Sequence, residues 1–238
     1  MTLTDSSAST PEEPIFDMSG HHGDEVHGPH FTPAERHRME HIATWMFIGG
    51  DAVFFLLEIF MWFYLRTLNT NGMWRGVTCS KANPCAIGGG SGYSLTSQVT
   101  KADPLWTFVV AGLIVVSAAF IWFAESQARK GATRQGTTGF LGLGLLFALA
   151  SIGVQIYQFQ VLPFQTTFGA YASTFEFYMG SNIAHFLLVA LIAFGLLSRS
   201  RMGKYENGSW YQLHLSRLWT VWVAASATIL ALIAVLFA

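Results

Sequence analysis

Seven polar side chains lie inside or at the edge of long apolar stretches of this chain: Asp51, Glu58, Gln155, Gln158, Glu176, Asn182 and His185. Carboxylic acids and an imidazole can hold or pass a proton, and amides can relay a hydrogen bond between them. Asp51 and Glu58 are seven residues apart, which on a helix sets them within about 20° of one another, on a common face. A carboxylate at mid-bilayer costs on the order of 2.5–3.5 kcal/mol, so that face is expected to meet protein or water rather than lipid. Depths estimated at 1.5 Å per residue put Asp51 about 12 Å from the inner end of its stretch, level with His185. Asn182 lies one turn from His185. Asp51 and His185 can therefore pair, as ions or through a hydrogen bond. Glu58 falls nearer the outer side, level with Gln155 and Gln158, and Glu176 lies near the outer entrance. Two polar layers are expected, read either as packing contacts that fix helix register or as a proton-related site.

The same inventory argues against intrinsic redox or hydrolytic chemistry. A haem or copper site within a membrane takes several histidines from facing helices. Only His185 lies well inside an apolar stretch; His41 and His214 fall at the edges. There is no evident nucleophile–base pair and no phosphate-binding loop. Gly139, Gly142 and Gly144 are better suited to close helix packing.

The elements that must position these groups are membrane helices. Over half the residues are apolar and only 11% are charged, the composition of an integral membrane domain. The first stretch, His41 to Leu68, is long enough to cross a hydrocarbon core of roughly 30 Å. Thr32-Pro-Ala-Glu35 is a capping box with proline at the first helical position, so one helix is expected from Pro33 to about Leu68. Gly49-Gly50 within it allows a close neighbour or a mild kink. The expected fold is all-α with five spans, at about 43–66, 104–124, 138–160, 174–197 and 215–237. Trp106 and Trp122 mark the two ends of the second span. Connections after that span are short, so consecutive helices should be antiparallel neighbours.

Five spans place Arg36, Arg38, Arg129, Lys130, Arg134, Arg199, Arg201, Lys204 and Arg217 on one side. The positive-inside rule then puts the N-terminus in the cytoplasm and the C-terminus outside. Residues 1–32 read as a polar, His-rich cytoplasmic tail without a secretory-signal pattern. His21, His22, His27 and His30 could bind a metal there, or be simply solvated. The loop 69–103 lies outside and holds Cys79 and Cys85. In an oxidising compartment they can form a disulfide worth about 2 kcal/mol. Two free thiols are the alternative; the spacing is not that of a CxxC redox pair. Basic residues are not clustered into a groove, so no nucleic-acid partner is expected.

Four segments carry a resemblance to a known family. WMFIGGDAVFFLLEIFMWFYLR resembles the first conserved helix of subunit III of the haem–copper respiratory oxidases, in the short five-helix bacterial form. There an acid follows a small residue and precedes an aromatic-rich half; here the acid is Asp51. GVQIYQFQVL is similar to a GxEIYEF-type segment, with Gln155 and Gln158 in place of acids. FGAYASTFEFYMGSNIAHFLLVALI resembles the stretch ending in a THGLH-like motif, with Asn182 for its first histidine and His185 for its second. LSRLWTVWVAASATILALI resembles the last helix, written around WHFxDVVW, with Ser216 and Trp219 for its histidine and acid.

The resemblance implies an accessory subunit with no haem or copper of its own, packed on subunit I, which holds those centres, and in contact with other oxidase subunits. It implies phospholipid held between the helices and support for proton uptake, in a bacterial cytoplasmic membrane. On that picture Asp51 and Glu58 line a lipid-binding or subunit-facing surface, and Trp45, Phe54, Phe55 and Trp62 pack against acyl chains or other helices. Other readings of the same residues are a subunit of a nitric oxide reductase, a small transporter with Asp51, Glu58 and His185 as a proton relay, and a copper-handling protein acting through its tail. The segments do not distinguish quinol from cytochrome c as donor.

Overall fold

The computed structural model describes residues 32–68, 74, 101–131, 134–164, 169–205 and 210–237. It is all-helical there, with no strand among the described residues. The five helices are α1 (Pro33–Thr67), α2 (Pro104–Arg129), α3 (Arg134–Gln160), α4 (Ala170–Arg201) and α5 (Tyr211–Leu236). Each is long and apolar enough to cross a membrane. Cys79, Cys85 and the tail histidines His21, His22, His27 and His30 lie outside the described residues.

Local signals set the helix starts. The Thr32 amide donates to Glu35 Oε2 at 2.8 Å while the Glu35 amide donates to Thr32 Oγ1 at 3.3 Å, closing the capping box that the sequence announces. The Thr32 amide, together with the Thr32 hydroxyl that also donates to Glu35 Oε2 at 2.8 Å, holds the Glu35 carboxyl below the usual carboxylate range. Asp103 caps α2 by accepting from the Leu105 amide at 2.9 Å, with Pro104 at the first helical position.

The helices run past their apolar spans, chiefly at the basic end. There α2 continues to Arg129, α3 begins at Arg134, α4 reaches Arg201 and α5 starts at Tyr211. Apolar content marks where lipid lies, whereas backbone hydrogen bonding continues until a turn stops it; Gly131 and Gly203 supply the positive φ angles, 66° and 74°, that end α2 and α4.

Helices α2, α3, α4 and α5 form a ring in which each packs on the next and α5 closes onto α2. As expected for short connections, α2 to α5 are sequential neighbours. The exception is α1, which lies along α4 and α5. Its outward face leaves Met46, Val53, Leu56, Leu57 and Phe60 exposed. In the ring, Gly144 of α3 lets α2 approach: a Cβ there would meet Ile121 Cγ1 at 3.0 Å and the Ser117 carbonyl at 3.4 Å. Ser117 Oγ donates to the Gly144 carbonyl at 2.7 Å.

The other glycines expected to pack helices do not. Gly49, Gly50, Gly139 and Gly142 each have open space where a Cβ would stand. Glycine permits a close approach without compelling one, and the first pair lies on the face of α1 turned away from the ring. At the end opposite the basic one, Trp62, Trp74, Phe164, Tyr171 and Phe175 build an aromatic cluster. Tyr171 Oη there accepts the Ala102 amide at 3.0 Å.

Candidate functional site

Asp51 projects from α1 into the seam between α4 and α5. Its Oδ1 is 2.8 Å from His185 Nε2 on α4, and its Oδ2 accepts the indole N–H of Trp222 on α5 at 2.6 Å. His185 Nδ1 is 2.7 Å from the Ser181 carbonyl. A carbonyl only accepts, so Nδ1 bears a hydrogen and one proton is left for the Nε2–Oδ1 contact. Whether written as imidazolium–carboxylate or imidazole–acid, the pair is neutral overall. That neutrality is what makes it tolerable in a membrane interior. The Trp219 ring stacks on the His185 ring, with centroids 6.1 Å apart.

Glu58 lies two turns further along α1 and is 6% exposed. With Asp51, Ser181, Asn182 and His185 it lines a cavity of about 10 Å³. Its Oε1 is buried and meets no hydrogen-bonding group among the described residues.

Asn182, Gln155 and Gln158 form a second polar array. Asn182 Nδ2 donates to Gln155 Oε1 at 3.2 Å, Gln155 Nε2 to Gln158 Oε1 at 2.8 Å, and Gln158 Nε2 to Thr107 Oγ1 at 2.9 Å. All four residues are buried. Amides donate and accept at once, so the chain of bonds runs unbroken from α4 through α3 to α2.

The two polar layers expected from depth alone are therefore redrawn. Glu58 shares a cavity with Asp51 and His185 rather than bonding to Gln155 and Gln158, because α1 packs on α4 and α5. Asn182 bonds to Gln155 while also lining the cavity of Asp51 and His185. Glu176 is half-buried near the start of α4 and does not line that cavity.

Glu58 is buried and Asp51 is half-buried. Both line the cavity against α4 and α5, and its 10 Å³ is too small for an acyl chain. A larger space lies elsewhere: a mostly apolar groove of about 350 Å³ between α1, α2 and α5, lined by Trp45, Ile48, Trp122, Val221 and Trp222, with Arg217 among its walls. Of the aromatics singled out in the first helix, Trp45 and Phe54 are exposed and Phe55 and Trp62 are buried.

One charged cluster is not evident from the apolar spans. Glu125, the residue after the apolar part of the second span, is 1% exposed. Its Oε1 accepts from Arg129 Nε at 2.8 Å and lies 3.0 Å from His214 Nδ1; its Oε2 pairs with Arg217 Nε at 3.0 Å. The last is an ion pair without a well-aligned hydrogen bond. A signal for it is present in the chain: an acid and an arginine four apart close one span, and His214-x-x-Arg217 opens another. His214 also stacks on His41 of α1, ring centroids 6.1 Å apart, and Arg129 lies 3.9 Å from the Trp210 ring centroid. Together these contacts tie α2, α5 and α1 at the basic end.

No protein-family model and no curated protein matches this chain.

Proposed function

We propose that the chain is an accessory, non-redox subunit III of a terminal haem–copper oxidase complex, which reduces dioxygen to water and pumps protons. It would lie in a bacterial cytoplasmic membrane with its N-terminus inside and its C-terminus outside. The observation that carries this reading is a convergence. Asp51, His185 and Trp222 come from three separate segments that resemble subunit III, and they meet in one hydrogen-bonded group. In the resemblance each occupies a motif position: the acid of the first helix, the second histidine of the THGLH-like motif and the last tryptophan of WHFxDVVW.

On this reading haem and copper belong to subunit I. The exposed apolar face of α1 contacts subunit I or lipid, the groove by Trp45 and Trp222 holds phospholipid, and the buried polar groups support assembly and proton uptake. Affinity purification in mild detergent through an N-terminal tag, followed by mass spectrometry and a reduced-minus-oxidised spectrum, tests it. Recovery with a larger haem-bearing oxidase subunit is expected, and the identity of that subunit names the donor. A nitric oxide reductase catalytic subunit in its place would move the chain to that complex. Recovery alone and colourless across several detergents would overturn the reading in favour of a stand-alone transporter.

A further inference from the structure

The other polar groups around the 10 Å³ cavity already have protein partners: Asp51 bonds to His185 and Trp222, and Asn182 to Gln155. His185 uses both ring nitrogens, one toward Asp51 and one toward Ser181. Glu58 differs, because Oε1 is buried without a partner among the described residues. Buried polar atoms in native proteins are nearly always satisfied, by protein, water or an ion. A cavity of roughly 10–15 Å³ takes one water molecule when several polar atoms surround it. The size and lining here match that requirement.

We propose that this cavity is an internal one-water site, and that the water connects Glu58 to the Asp51–His185 pair so that a proton can pass between them. No Lys or Arg is paired with Glu58 among the described residues. The groups facing it are Asp51 on its own helix and Tyr178, Ser181 and His185 on α4; α5 presents Val223, Ser226 and Leu230 to the cavity. The Asp51–His185 pair is neutral with its single shared proton, so the whole group is neutral when Glu58 carries a proton as well. In the transfer, the Glu58 O–H bond breaks as its proton bonds to the water oxygen. With the pair in its imidazolium–carboxylate form, one of the water's own O–H bonds breaks as that proton bonds to the Asp51 carboxylate. The water is regenerated, and negative charge moves from Asp51 to Glu58. This proposal is independent of which complex the chain belongs to.

Infrared spectroscopy of the full chain in nanodiscs tests it. The wild type should show the carbonyl stretch of a protonated carboxylic acid, shifted by ¹³C-glutamate labelling and by heavy water. A water O–H band moved by H₂¹⁸O should accompany it. Glu58→Gln should remove both bands, whereas Asp51→Asn should shift the carbonyl band without removing it. Survival in Glu58→Gln of a carbonyl band that the ¹³C-glutamate label shifts overturns the proposal. So does a glutamate carboxylate band that shifts with sodium, since the cavity would then hold a cation. Should Glu58→Gln fail to fold, the glutamate label decides from the wild type alone: a carbonyl band that the label leaves unmoved overturns the proposal.

Discussion

Trp222 donates its indole N–H to Asp51 at 2.6 Å, across 171 residues of sequence, and this bond with its His185 counterpart fastens α1 to the ring. Membrane hydrogen bonds average about 0.6 kcal/mol in double-mutant cycles, with a maximum near 1.7. A cycle of Asp51→Asn and Trp222→Phe should give a coupling energy in that range, read from denaturant unfolding in detergent. Zero coupling would mean that the indole and the carboxylate do not act together.

If the chain is the proposed oxidase subunit, Asp51→Asn should weaken assembly or lipid retention more than it lowers the initial rate of oxygen reduction by the complex. The comparison needs yield of complex, bound phospholipid and initial turnover from one preparation. Loss of haem–copper spectra from a fully assembled variant would contradict the accessory role.

Much of this arrangement is legible in the sequence, because membrane spans and caps are local signals. The five helices follow from apolar length, and the start of α1 from Thr32 and Glu35. Asp51 and His185 match by depth alone, since two ionisable groups in one membrane layer have few partners to choose from. Trp222 is not legible in this way; a tryptophan in an apolar run reads as hydrophobic, and its donor shows only when the helices are assembled. Glu125 goes unnoticed because the apolar window stops at Ala124. The glycines show the opposite failure, as open space at Gly49 and close packing at Gly144 look alike in sequence.

Glu125→Ala should destabilise the chain, because it strands Arg217 with only 22% of its side chain exposed. Breaking a buried pair costs about 3–5 kcal/mol. Arg129 is 43% exposed and can turn toward water, so a loss of roughly 2 kcal/mol is expected. Unfolding in mixed micelles measures it; a change inside error would place the cluster among contacts of no net value.

Gly144→Val should destabilise the isolated chain by about 1–3 kcal/mol, since the added carbons press on Ile121 and the Ser117 carbonyl. Gly49→Ala and Gly50→Ala should be neutral or stabilising by up to about 1 kcal/mol, from helix propensity alone. If those two positions instead meet a partner helix, the alanine variants will fold well yet recover less of the complex. Melting curves alongside pull-down yields separate the two effects.

Burial holds the Tyr205 hydroxyl above its ordinary pKa, with Arg199 opposing. A raised value in the folded state contributes stability that is fully present below the unfolded pKa, about 10. That contribution fades as pH rises through the folded one. Unfolding midpoints should therefore fall more steeply on the alkaline side in the wild type than in Tyr205→Phe. Parallel curves for the two would remove Tyr205 from the alkaline response.

Among the five helices α1 precedes both of the helices it packs on, α4 and α5. Its partners His185 and Trp222 lie 134 and 171 residues downstream. At roughly 5–20 residues per second, that leaves a wait on the order of ten seconds during synthesis. Through that interval Asp51 and Glu58 stand in the bilayer without the groups that neutralise or enclose them. Shelter for the acidic face of α1 until α4 and α5 arrive would therefore lower the cost of inserting it.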